Sequence, residues 1–102
     1  MSTAVQQAPG LFRTDVQRHD LSVSGREVIQ NRVDIGPEAP FVRHKHPGEE
    51  IIYVLEGTAE IRMSDVTQRV GADTAVFCPP GVLHGIRNAG NTPIRYMIIR
   101  TP

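Results

Sequence analysis

The chain has 102 residues, with 11 Lys plus Arg against 11 Asp plus Glu, and a formal net charge of zero. That length makes one domain, near the lower end of what buries a self-sufficient core. The balanced charge argues against a nucleic-acid partner and against polybasic attachment to a membrane, and the single cysteine, Cys78, excludes an intrachain disulfide.

Residues 1–11 are small and polar, include Pro9-Gly10, and read as a flexible N-terminal arm ahead of a single domain over 12–102. The start lacks the charged and apolar blocks of a signal peptide, and no apolar run approaches a transmembrane span, so the expected compartment is the cytoplasm. Beyond the arm, Gly and Pro recur at intervals too short for ordinary helices, and the segments between them are rich in Val, Ile, Thr and Tyr. This pattern predicts an all-β sandwich or barrel, with strands near 12–18, 26–35, 40–44, 50–56, 58–63, 67–70, 74–78, 83–88 and 94–100.

Alternation assigns faces within these strands. Ile29, Val33 and Ile35 share one face, which Asn31 interrupts either as a buried amide satisfied by backbone or as a polar group in an interior pocket. Ala59, Ile61 and Met63 face inward while Thr58, Glu60 and Arg62 face out. Two segments are apolar on both faces, Ile51–Leu55 and Tyr96–Ile99. A small barrel covers only one of those faces, so a second copy of the chain is expected over the other, with a folded-back N-terminal segment as the alternative cover. His19 reads as a surface residue, and Cys78 as a small buried hydrophobe rather than a ligand or nucleophile.

The chemistry-bearing stretch is Arg43-His44-Lys45-His46-Pro47-Gly48-Glu49-Glu50, followed by the apolar run Ile51–Leu55. Side chains two apart on a strand point the same way, so His44 and His46 share a direction, and Glu50 has the same parity. Imidazole and carboxylate together suit Fe(II), Mn, Zn, Ni or Cu. Two surface histidines beside a solvated glutamate is the plainer reading of this stretch alone. Further on, Pro79-Pro80-Gly81 turns the chain into His84, which shares a face with Ile86 and Asn88.

In these two stretches the chain resembles the cupins, small jelly-roll β-barrels. Their first motif is matched by Gly36, His44-x-His46, Glu50 after three residues and Gly57 after six more. Their second is matched by Gly71, Pro79-Pro80-Gly81, His84 after two residues and Asn88 after three. The spacers after Gly36 and Gly71 are longer than usual, and both departures fall outside the ligand spacing. The resemblance implies a jelly-roll barrel holding one divalent transition metal on His44, His46, Glu50 and His84, with Fe(II) expected first and Mn, Ni, Cu, Co or Zn as alternatives. It assigns structural roles to Gly57, Gly81 and Asn88.

Four protein ligands on an octahedral metal leave two positions open, as a reactive site requires. Dioxygenases are prominent among cupins with this ligand set, so the resemblance implies a metal-dependent enzyme of dioxygenase type acting on a small organic molecule, with Glu50 also a candidate proton acceptor. A non-redox isomerase, cyclase or lyase is the second reading, and a non-catalytic binding module the third. Candidate pocket residues are Asn31, Ile52, Met63, Phe77, Ile86 and Tyr96, the last facing either the cavity or a subunit interface.

Overall fold

The computed structural model describes residues 3–22, 24–44 and 47–102, without the side chains of Val42 and His44. The strands are β1 (Ala4–Ala8), β2 (Leu11–Asp20), β3 (Glu27–Ile35), β4 (Val42–His44), β5 (Glu50–Glu56), β6 (Ala59–Met63), β7 (Val66–Val70), β8 (Thr74–Cys78), β9 (His84–Asn88) and β10 (Ile94–Arg100). Nine of them fall where Gly and Pro punctuation puts them. The tenth, β1, lies inside the stretch read as a flexible arm. Its residues are almost all exposed, so it carries no apolar signal, and it is held by antiparallel pairing with β2 across the Pro9-Gly10 turn.

The strands form two antiparallel sheets, a six-stranded one in the order β1-β2-β3-β10-β5-β8 and a four-stranded one in the order β4-β9-β6-β7. One core draws on both, with Ile35, Ile52, Val54, Ile94 and Tyr96 from the larger sheet and Ala59, Ile61 and Ile86 from the smaller. This all-β jelly roll is the expected fold class. Among the described residues no helix is long and apolar enough to cross a membrane.

Gly57 carries the chain from the large sheet to the small one. Its φ of 82° lies in the left-handed region, and a Cβ there would sit 2.5 Å from Ile94 Cγ2 and 2.8 Å from the Pro93 carbonyl oxygen. Asn88 closes the neighbouring turn: Nδ2 donates to the carbonyls of Ile35 (3.1 Å) and Thr92 (2.7 Å), and Oδ1 accepts from Gly90 N–H at 2.9 Å. Both residues thus do structural work.

The outer face of the large sheet is apolar where the sequence expects it. Ile99, Ile51 and Phe77 are neighbours in register across β10, β5 and β8, and are 36%, 42% and 53% exposed. Phe77 therefore does not line the interior pocket. Pairing of Glu50 with Cys78 turns Val76 and Cys78 inward and Phe77 outward.

Gly57→Ala is expected to destabilise the fold by about 2–3 kcal/mol, from the left-handed φ and the collision with Ile94. Chemical denaturation measures this, and a loss below about 0.5 kcal/mol, the ordinary surface range, would contradict the close approach.

Candidate metal centre

Two cross-strand rows meet at one end of the sandwich. In the small sheet His84 on β9 lies between His44 on β4 and Met63 on β6, in backbone register. In the large sheet Glu50 on β5 lies between Arg100 on β10 and Cys78 on β8. Glu50 Oε2 is 2.8 Å from His84 Nε2, and the two side chains are 1% and 2% exposed. The contact joins the sheets.

Each side chain is held from behind. His84 Nδ1 is 3.0 Å from the Val82 carbonyl oxygen. A carbonyl only accepts, so Nδ1 carries a proton, and Nε2 is the ring nitrogen that faces Glu50. The turn before it is fixed by the Ser64 N–H, which donates to the Leu83 carbonyl at 3.0 Å. On the opposite side, Glu49 N–H donates to Thr101 Oγ1, and Thr101 N–H donates to the Glu49 carbonyl, both at 3.0 Å. Gly48 is buried against the carbonyls of Thr101 and Pro102, which leave no room for a Cβ. The C-terminal end thereby fixes the approach to Glu50.

The cluster also includes Cys78. Its Sγ, a Glu50 carboxylate oxygen and a ring nitrogen of His84 all lie within 4.8 Å of one another. Sequence reading has Cys78 as a small buried residue, and it is fully buried. What the reading lacks is its direction, because only the β5–β8 register turns the thiol toward Glu50 and His84. Burial, and then the Glu50 charge, push the thiol up to about 11. Tyr96 is also interior, part of the core shared by the two sheets. Burial and then Glu50 raise its hydroxyl well above the usual tyrosine range.

Ile52 and Ile86 are 2% exposed on the facing inner surfaces, and Met63 is half-buried beside His84. Asn31 is buried two strands away from Glu50. Oriented to satisfy its neighbours, its amide donates to the Gln30 carbonyl and to Asp15 Oδ1, both at 3.1 Å, which favours the satisfied-amide reading. His19 is exposed on β2. The structure thus brings Glu50 and His84 together and adds Cys78 and Tyr96. His44 stands opposite His84 in backbone register, while its side chain and the whole of His46 lie outside the described residues.

An imidazole nitrogen and a carboxylate oxygen that converge in a buried site are the donor types a divalent cation takes, so the donor set fits a divalent metal. The family model for the cupin domain matches residues 31–100. The chain belongs to the cupin family. This cupin is 29% identical over 86 residues to the mannose-1-phosphate guanylyltransferase RfbM of Salmonella typhimurium, covering 82% of this chain and 18% of that protein. It is 28% identical over 82 residues to the tetracenomycin polyketide synthase protein TcmJ of Streptomyces glaucescens, covering 79% and 55%. The chain thus spans little more than half of one relative and a fifth or less of the other. Its fold superposes on KdgF from Halomonas sp. with a TM-score of 0.80 at 19% identity, over 98% of this chain and 86% of that one.

At pH 8 Cys78 is expected to resist a disulfide-exchange thiol reagent in the native protein and to react fully on unfolding, because the buried thiol is largely protonated there. Rapid native-state labelling, followed by absorbance of the released thiolate, would contradict its place in the cavity.

Proposed function

We propose that this cupin is a metal-dependent protein acting on a small organic molecule, as a dioxygenase-type oxidoreductase, with residues 12–102 as its single domain. The ligand set we assign is His44, His46, Glu50 and His84. The observation that carries the reading is the buried 2.8 Å approach of Glu50 Oε2 to His84 Nε2, with the far side of the imidazole anchored on Val82. When bound, a divalent metal, Fe(II) in the first instance, supplies Lewis-acid polarisation and open positions for substrate and dioxygen.

The protein's own residues do the rest. Ile52, Ile86 and Tyr96 exclude bulk water, which strengthens every charge interaction at the site. The Val82 carbonyl holds the His84 ring in one tautomer. Glu50, as the buried carboxylate, is the group we assign to accept a substrate proton. A non-redox isomerase, cyclase or lyase is the second reading, since neither relative's name, a guanylyltransferase and a polyketide synthase protein, is that of an oxygenase. Loading the protein with Fe(II) and measuring oxygen uptake against flavonols, diketones, thiols and aromatic compounds separates the two. Uptake coupled to product formation supports the oxygenase, whereas conversion without dioxygen supports the second reading. Glu50→Gln is expected to lower turnover at least ~100-fold, the low end of general-base effects.

Metal retention is expected to fall as pH drops from neutral to about 5, because imidazole ligands must be deprotonated to bind. Retention unchanged below that range would contradict the histidine set. We also assign a homodimer, on the support of the exposed Ile99–Ile51–Phe77 row, and a reducing cytoplasm that keeps Cys78 a thiol. Sedimentation of Phe77→Asp as a monomer, against a wild-type dimer, tests the assembly. Identical sedimentation of the two would contradict a dimer through this row.

A further inference from the structure

Arg100 is the last residue of β10 and shares its inward face with Ile94, Tyr96 and Ile98, all buried. In register it lies directly beside Glu50 on one side and Ile29 on the other. A half-buried guanidinium thus belongs to the same wall as the carboxylate of the metal centre, one strand spacing of about 4.8 Å away.

Several other arginines of the sheets have a carboxylate partner, while Arg62 donates to Thr67 Oγ1 instead. Arg13 pairs with Asp15 at 3.2 Å, Arg18 with Glu27 at 2.9 Å, Arg87 with Glu60 at 2.8 Å, and Arg95 with Asp34 at 2.6 Å. Among the described residues, the Arg100 side chain makes no hydrogen bond or ion pair. Arg100 instead lines a cavity of about 290 Å³ over β2 and β3, whose wall also holds Arg13, Arg18, Asp15 and the buried Asn31. That volume is at the lower end of small-molecule sites, about 300–1,000 Å³. Its wall carries three guanidinium groups against one carboxylate, and two of the three are already paired.

We infer that Arg100 anchors the carboxylate of a small organic acid whose other end reaches the Glu50–His84 site. A planar guanidinium offers two parallel N–H donors that match a carboxylate, and a partly dry wall strengthens the pair. A carboxylate brings one negative charge to the one unpaired cation, whereas Asp15 on the same wall works against the two charges that phosphate concentrates in a single group. The interval from the anchor to the metal centre is one to two strand spacings, ~5–10 Å, which a small acid spans. The inference rests on reading the interior as a substrate site, and not on any metal being bound there.

The test is a titration of the isotope-labelled full chain with succinate and, separately, with inorganic phosphate, followed by amide shifts in NMR spectra. It is run on the protein as purified and again after chelation. Succinate is expected to shift the amides of Ile29, Asn31 and Arg100 saturably in both preparations, with phosphate weaker. Arg100→Gln is expected to weaken succinate at least tenfold and Arg100→Lys to retain part of the affinity, while each variant's own spectrum reports its fold. Absence of saturable shifts in wild type, equal affinity in Arg100→Gln, or tighter binding of phosphate than of succinate would overturn the inference. Because the chelated protein gives the same reading, failure of the metal assignment leaves this outcome separately visible.

Discussion

The structure depends on the buried approach of Glu50 to His84 across the two sheets. Removing a carboxylate and an imidazole from water costs several kcal/mol for each charged group, and only close compensation offsets it. The compensation is local and specific. The imidazole is fixed through Nδ1 on the Val82 carbonyl, and the strand that carries Glu50 is fixed through the two hydrogen bonds between Glu49 and Thr101. Around the pair, the jelly roll supplies apolar walls that keep water away. A cation held by the two groups would offset that cost, which is the basis of the metal centre proposed above.

The two sheets divide the labour. The small sheet sets His44 on β4 opposite His84 on β9 in backbone register, with His84 buried. The large sheet brings a row of mixed chemistry, with guanidinium, carboxylate and thiol on β10, β5 and β8. The inner face grades from this polar end to the apolar layer of Ile35 and Ile94 at the other. Tyr96 sits between them, its hydroxyl raised by burial and then by the Glu50 charge.

Much of this was legible in the sequence. Short segments between glycines and prolines marked nine strands, and alternation alone put Ile29, Val33, Ile35, His84, Ile86 and Asn88 on inner faces. Glu50 was legible through its parity with the two histidines and its spacing to Gly57. The misses share a cause, which is that register is a long-range property. β1 has no apolar alternation and exists through its pairing with β2. Strand 74–78 offers apolar residues on both faces, so Phe77 outside and Cys78 inside follow only from the partner strand. Arg100, at the end of its strand, likewise shows no signal until β10 is laid beside β5.

The most direct measurement of the central claim is elemental mass spectrometry of the purified protein and of His84→Ala, each after reconstitution with Fe(II), Mn, Ni, Co, Cu and Zn in turn. The account predicts near-stoichiometric metal in the wild type for at least one of these ions, and its loss in the folded variant. No metal in either protein, or equal metal in both, would contradict it and would leave the Glu50–His84 contact as a structural pair inside a cupin barrel.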